Sequence, residues 1–595
     1  MSADGSRARR VLVGFLLFAA SAAYFASYAR IGLFDDEGYM LEGVTRILDG
    51  QVIYRDFHHT YAPGRFYLFA GLFKLFGEDL LVVRATWVAL RAGVVLLAWL
   101  AARRLIRGPL AWAPPLALLA LPGPWHKSFF HLFLLATLLA GISLFEKGGA
   151  LRSYAVGAIV ALALLFRQDV GILAGGAIAI CLAMRAISVR ASAPRRPGAA
   201  DPASGGWRET ETLPAARSSF TARTASEVSS DRTRRADSES IGQQARVSLA
   251  LLVAGFASLV APVLAYFASQ RALGPLIEKL FLAGARDNRA NALPFPPLLP
   301  LVPSGAPDAG AVISLLFVKI LYYLPPVTFA IYGAVLAVAA VRRRALPSAA
   351  HVLVLVLGGA ALLQVAARSD LPHLYQAIGL VYFPWALALG ALAARIPSRL
   401  ARPAVIAAAL GFPIVLTGGI VLLSSLAARA GGAVYLARAG VAVPFENASG
   451  ARVALARVPR VPLGLPRARL LVSPHDAALL GALGRFLDAR TKPGDYVLTV
   501  PGFQLVYFLF DRRNPTPFPH VRRAFDSPAE EDDYIASIDR HGARYVFFEE
   551  IAIDGRPERR FALYAEKTMN WLTTHYQPTE RIGRILALER IPGVP

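Results

Sequence analysis

The chain has 595 residues, 63 Lys and Arg against 40 Asp and Glu, and 55% hydrophobic residues with only 17% charged. That apolar fraction exceeds the roughly 45–50% of soluble domains, and a mean hydropathy of +0.47 excludes a mostly disordered chain. A net charge of +23 would suit nucleic acid in a soluble protein, but here the basic residues cluster between apolar stretches, as cytoplasmic loops do, and no nucleic-acid partner is expected.

A helix needs about 20 mostly apolar residues to cross the hydrocarbon core, so the chain divides by where such runs occur and which flank carries Lys and Arg. Val11 to Ala29 follows Arg7, Arg9 and Arg10 and precedes Asp35, Asp36 and Glu37, which predicts a cytoplasmic N-terminus and an external acidic cluster. A cleaved signal peptide is the rival to a retained anchor, because Ala19, Ala20, Ala22 and Ala23 resemble a cleavage region. Alternating spans are then predicted at Leu80–Ala102, Leu110–Leu121, Leu132–Phe145, Tyr154–Phe166 and Val170–Ile187. Cys181, the single cysteine, lies in the last of these, so neither an intrachain disulfide nor a thiolate metal site can form.

Residues 188–246 turn to Arg, Ser, Ala, Pro and acidic residues, a composition that predicts a disordered cytoplasmic loop. Further spans follow at Val247–Phe267, within Ile313–Val341, and at His351–Ala366, Leu374–Ala394 and Ala404–Leu423. The expectation is an α-helical polytopic protein of the cell inner (plasma) membrane with about eleven transmembrane helices. Its parts are an N-terminal membrane module (1–187) with an external loop at 30–79, the loop 188–246, a second membrane module (247–426) and a tail (427–595). The tail reads as soluble: helix at Ala477–Arg490, strand at Tyr496–Val500, helix at Glu531–His541, strand at Ala543–Glu549, helix at Arg560–Tyr576 and strand at Ile582–Arg590. That alternation predicts an extracytoplasmic α/β domain.

The chemistry concentrates in the first external segment. Three adjacent carboxylates, Asp35, Asp36 and Glu37, repel one another and raise at least one pKa unless a cation or substrate is present, so they are poised to take a proton or to bind metal. A solvated acidic cap is the bland alternative. His58, Tyr61 and Arg65 in the same segment are candidate substrate contacts; His58 and His59, being adjacent, cannot share a face as a metal pair would. Arg84 and Arg91 lie seven residues apart on one helix face, where arginine suits a lipid phosphate. A charge at the bilayer centre costs about 2.5–3.5 kcal/mol, so Arg91 should face the bundle interior. Lys127 is a further candidate. Two more external turns join a cation to a carboxylate, Arg167-Gln168-Asp169 and Arg368-Ser369-Asp370-Leu371-Pro372-His373; Asp169, Arg368, Asp370 and His373 are candidate substrate contacts there, and a local ion pair is the alternative.

The Asp36-Glu37 pair just after the first span, Gly50 to Tyr54, the Pro63-Gly64 turn and the Phe76-Gly77 end of an aromatic run resemble the GT-C-fold membrane glycosyltransferases, in particular the protein O-mannosyltransferase and aminoarabinose transferase superfamily. The resemblance covers residues 1–423 by topology and rests mainly on 34–91. It implies a GT-C-like fold, a polyprenyl-phosphate sugar donor (hexosyl or pentosyl), Asp36 as catalytic base with Glu37 beside it, and an acceptor (lipid, glycan or protein) on the extracytoplasmic face of the cell envelope, with membrane lipids around it. The extra Asp35 leaves open a divalent cation, Mg²⁺ or Mn²⁺, as in related oligosaccharyltransferases. A polytopic transporter or lipid-linked-glycan flippase is the alternative function, with Arg91, Asp169 and Asp370 lining a path.

Overall fold

The computed structural model describes residues 3–121, 125–192, 246–284, 291–302, 309–396, 403–408, 459–553 and 556–594, with isolated residues between them. Among the described residues, seven helices are long and apolar enough to cross a membrane: Arg7–Ala26, Leu80–Leu105, Trp125–Lys147, Gln168–Ile187, Arg246–Ser269, Leu315–Arg343 and Ala349–Ala367. A bent pair, Leu371–Leu380 with Tyr382–Arg395, turns by 49°, and two shorter apolar helices cover Pro109–Ala120 and Ala150–Phe166. Together these occupy every predicted span except Ala404–Leu423, which lies largely outside the described residues, as does the predicted loop at 188–246.

In chain order, α1 is Ala3–Ala26, α2 Asp35–Leu48, α3 Gly64–Phe76, α4 Leu80–Leu105, α5 Ala113–Ala120, α6 Ser128–Lys147, α7 Ala150–Phe166 and α8 Gln168–Ser192. The later membrane helices are α9, Arg246–Ser269, α10, Ala309–Arg343, α11, Ala349–Ala361, α12, Leu371–Ala377, and α13, Tyr382–Arg395. The ends of α4 are written in its sequence: Asp79 caps the first turn, its carboxylate accepting from Leu81 N at 2.8 Å, and Arg103 and Arg104 close the last, where cations suit the carbonyl end. α4 packs against α1 and α6, α6 against α7, and α8 against α11.

Between α1 and α4 the chain does not stay a loop. The spacing of Met40, Leu41 and Val44 gives α2 one buried face, which lies on α3 and on a short helix of the tail at Leu505–Leu509. Gly38 is required there, since a Cβ would stand 2.5 Å from Leu505 N. Gly64 likewise lets α3 start against the end of α7, where a Cβ would meet Leu165 O at 2.7 Å.

The described part of the tail is an α/β unit. Strands β1, Val461–Pro462, and β2, Leu471–Val472, pair with each other, and a four-stranded sheet runs in the order β3 (Val497–Val500), β4 (Tyr545–Glu549), β6 (Ile585–Arg590), β5 (Tyr576–Ile582). β3 and β4 are parallel, and the other neighbours antiparallel. Helices α14, Pro474–Arg490, α15, Pro528–Arg540, and α16, Glu566–His575, complete it. The single strand predicted at 582–590 is the second arm of a hairpin whose first arm, β5, begins where the helix predicted to reach Tyr576 ends. Polar alternation in Gln577-Pro578-Thr579-Glu580-Arg581 hides β5, because only its two end residues are buried.

The tail is docked on the first segment by backbone as well as side chains. Gly32 N donates to Leu471 O at 2.9 Å, Leu471 N to Arg30 O at 2.7 Å, Leu80 N to Arg467 O at 2.8 Å and His58 N to Pro517 O at 2.7 Å. Buried Arg46 pairs with Glu42 at 2.5 Å and donates to Thr516 O at 2.5 Å, while Asn514 donates to Glu42 at 3.2 Å.

Candidate active site

Asp36, the His126-Lys127 pair and the turns at 167–169 and 368–373 converge at one end of the helix bundle. Asp36 lies in the first turn of α2, where a carboxylate faces the positive end of the helix dipole. Its side chain is 37% exposed, and its Oδ2 stands 3.4 Å from Nε2 of buried His126. Next to His126, Lys127 Nζ lies 3.4 Å from His373 Nε2. His373 Nδ1 is 2.6 Å from Asp370 Oδ1, so Asp370 accepts the Nδ1 proton and leaves Nε2 as the acceptor that faces the Lys127 ammonium. Asp370 is fixed in turn by Arg368 at 2.6 Å and caps α12 by accepting from His373 N at 2.9 Å. Arg368, Asp370, His373 and Lys127 therefore form one linked set beside Asp36, and Asp370 itself is almost fully buried.

Electrostatics separate the two residues of the acidic pair. Burial raises the Asp36 carboxyl, but the charges of His126, Lys127, Arg522 and His373 outweigh it and hold the group below the usual aspartate range. Lys127 and Arg522 are the lasting cations in that set. For Glu37 burial wins: its carboxyl is raised, although Arg84 pulls it down. Glu37 is 2% exposed and meets Arg84 at 2.5 Å. Burial also raises Asp370, yet His373 and Arg368 bring it well below its ordinary value.

Several sequence expectations change here. Arg84, read as a phosphate ligand, is fully buried and donates to Ala29 O at 2.9 Å, Gly32 O at 3.1 Å and Glu37 at 2.6 Å. It is the clamp that holds the turn between α1 and α2, with Glu37 as its partner, so both serve the geometry of Asp36. Arg91 faces the bundle as expected, but it donates to Leu121 O at 2.8 Å and lies over the rings of Phe25 at 4.6 Å and Trp125 at 5.2 Å, a structural setting. The side chain of Asp35 lies outside the described residues. Asp169 is held bidentately by Arg167, at 3.0 and 2.5 Å, and Arg65 stacks over Tyr61 at 4.2 Å, with Arg167 5.9 Å from the same ring. Burial and Arg167 push Arg65 down to about 10.

Neither histidine of the pair is a surface residue. His59 is buried among Tyr39, at 4.2 Å between ring centroids, and Phe66, at 4.3 Å; His58 is half-buried against Phe518 at 4.4 Å. Burial lowers His58 to about 3, and His59 well below its ordinary value, so both rings are neutral. On the far side of Tyr39 lies His520 of the tail, at 4.3 Å, lowered by burial to about 3. His58, Tyr39, His520 and Arg522 line a cleft of about 80 Å³ one helical turn along α2 from Asp36.

The sequence reading missed His126, His520 and Arg522. His126 carried a signal, since a His-Lys pair interrupts an aromatic run at the head of a span. Pro519-His520-Val521-Arg522-Arg523 carried none, because charged residues are common in a soluble domain and only docking brings them to Asp36.

Among the described residues no group of three His, Cys, Asp or Glu side chains is placed to hold a metal ion. A divalent ion needs several oxygen ligands, whereas Asp36 faces His126, Lys127 and Arg522, and Glu37 is taken by Arg84. The described side chains around Asp36 thus form no metal site, and Asp35, the extra carboxylate read as a ligand, lies outside them.

No protein-family model matches the chain, and no curated protein matches it in sequence. Among solved structures, it is similar to the archaeal oligosaccharyltransferase AglB of Archaeoglobus fulgidus in complex with an inhibitory peptide and a dolichol-phosphate, at 12% identity over 98% of this chain and 75% of that one, with a TM-score of 0.44. The same oligosaccharyltransferase tethered to an acceptor peptide gives 13% identity over 98% and 74% with a TM-score of 0.44, and its complex with Zn and sulfate 12% over 94% and 71% with 0.42. At these scores nothing about chemistry follows, and the site is read from its own residues.

Proposed function

We propose that the protein is an integral membrane glycosyltransferase that moves a sugar from a polyprenyl-phosphate donor to an acceptor hydroxyl on the extracytoplasmic face of the membrane. The observation that carries this reading is Asp36: an accessible carboxylate kept ionised beside Lys127 and Arg522, at the end of the bundle away from the arginine clusters. Two of the three charges that a transporter or flippase would string along a path, Asp169 and Asp370, are instead at helix ends and paired there with Arg167 and Arg368.

In the proposed step the acceptor oxygen attacks the anomeric carbon, its proton passes to Asp36, and the bond from that carbon to the phosphate oxygen breaks. The phosphate leaves with the electron pair, and its charge falls to Lys127 and Arg522. The same cations explain how a carboxylate with a low pKa serves as a base: a bound phosphate offsets their charge, burial then dominates, and the Asp36 carboxyl rises toward a more basic value. Arg84 and Glu37 fix the turn that carries Asp36, and the Asp370-His373 pair orients Lys127. In this reading the acceptor enters by the cleft lined by Tyr39, His58 and His520, on the tail side of Asp36, and the donor chain lies toward the membrane.

Purified protein in nanodiscs, incubated with radiolabelled hexosyl and pentosyl polyprenyl phosphates and an extract of the envelope as acceptor, tests the reading. Release of polyprenyl phosphate with transfer of label from one donor class is expected. Failure of all of them to bind or to lose their sugar would contradict it.

A further inference from the structure

At the opposite ends of α1 and α4 the surface has a different character. Arg7 and Arg10 of α1 and Arg103 of α4 are exposed and meet at the mouth of a groove of about 520 Å³ between the two helices. Below them the walls are apolar: Phe15 and Phe18 on one side, Leu96 and Trp99 on the other. Phe15 is 65% exposed and Val11 67%, so the groove opens on the face that a bilayer would cover.

Three guanidinium groups that line one groove repel one another unless an anion lies among them. The contrast with the next residue is informative: Arg104 pairs with Glu146 of α6 at 3.1 Å, whereas Arg103 lies over the Trp99 ring at 4.6 Å and lines the groove. Among the described residues no carboxylate lines the groove. Gly14 keeps it open at mid-length, where only Leu96 and Trp99 come within 3.4 Å of a built Cβ, leaving room in front.

We propose that this groove binds an anionic phospholipid of the leaflet at the arginine end, its headgroup phosphate shared by Arg7, Arg10 and Arg103 and one acyl chain lying against Phe15 and Trp99. The chemistry is that of a bidentate guanidinium–phosphate contact joined to burial of a hydrocarbon chain, and each half matches one part of the groove. The lipid closes the charge repulsion and fills the gap between α1 and α4. It is a resident of this end, separate from the Asp36 site, and does not depend on what that site does.

Native mass spectrometry of the full-length protein, titrated with phosphatidylglycerol or with phosphatidylcholine of the same chains, tests it. The parent is expected to retain phosphatidylglycerol over phosphatidylcholine, and to lose that preference as salt rises. Each of Arg7→Gln, Arg10→Gln and Arg103→Gln should weaken phosphatidylglycerol by about fivefold, and Arg104→Gln should not. Gly14→Leu, which fills the groove and spares the arginines, should weaken it as well. Equal retention of the two lipids by the parent, or a triple arginine variant that holds phosphatidylglycerol like the parent, would overturn the proposal. So would displacement of the bound lipid by inorganic phosphate with Gly14→Leu unaffected, which would assign the arginines to a soluble anion.

Discussion

The bundle end of the site and the tail end are built by opposite strategies. On the bundle side, charges arrive at the ends of apolar helices and are fixed by side-chain partners, some of them only two or three residues away, as Arg167 is by Asp169 and His373 by Asp370. On the tail side, His520 and Arg522 come from a connection between β3 and α15, and they reach Asp36 only because backbone bonds such as His58 N to Pro517 O seat that connection on α2. The bundle side is preorganised by side-chain pairs between and within its helices, whereas the tail side is placed by docking.

The first way to break that comparison is to open a side-chain pair on the bundle side. Arg84→Ala leaves Glu37 buried without its partner, which costs about 3–5 kcal/mol and should lower the unfolding midpoint steeply. Parental stability in that variant would show that the pair does not hold the turn. A smaller effect sharpens the comparison across the site. Lys127→Ala, on the bundle side, and Arg522→Ala, on the tail side, each remove a cation that lowers Asp36 and leave the burial that raises it. The acid limb of kcat/KM should therefore move to higher pH in both, and a limb that stays in place in either would remove that residue from the site.

The smallest effect is confined to the docking. His58 and His520 are neutral in the docked state, lowered to about 3, and titrate at their ordinary value of 6.5 once exposed. A released tail then binds more protons than a docked one, so the docking is at full strength above 6.5 and weakens as pH falls from there toward 3. Spin labels at Lys74→Cys and Arg581→Cys should keep one sharp distance at neutral pH and spread in mild acid. A distance that is indifferent to pH across that range would separate the histidines from the docking.

What could be read in the sequence follows the same division. A charge in an apolar context is conspicuous, so Asp36, Asp169, Arg368, Asp370 and His373 stood out, and their convergence follows from spans that alternate in direction. Burial is not conspicuous. Nothing in the run Asp35-Asp36-Glu37 says that Glu37 turns inward to Arg84 while Asp36 stays accessible, because that depends on how α2 rests on the tail through Gly38 and Leu505. The setting of Arg84 was hidden for the same reason: an arginine at a helix end looks identical whether a lipid phosphate or backbone carbonyls and a buried carboxylate receive it. In the tail the helices and the central strands were legible from periodicity, but β5, with its polar face, was not.

The central claim is that Asp36 takes the acceptor proton. Its most direct test is a single-turnover transfer by Asp36→Asn protein that has first been shown to bind the polyprenyl-phosphate donor as the parent does. The amide keeps the size of the side chain and cannot accept the proton, so transfer should fall by about 100- to 10,000-fold at unchanged donor affinity. Transfer at the parental rate by folded, donor-bound Asp36→Asn protein would contradict the account.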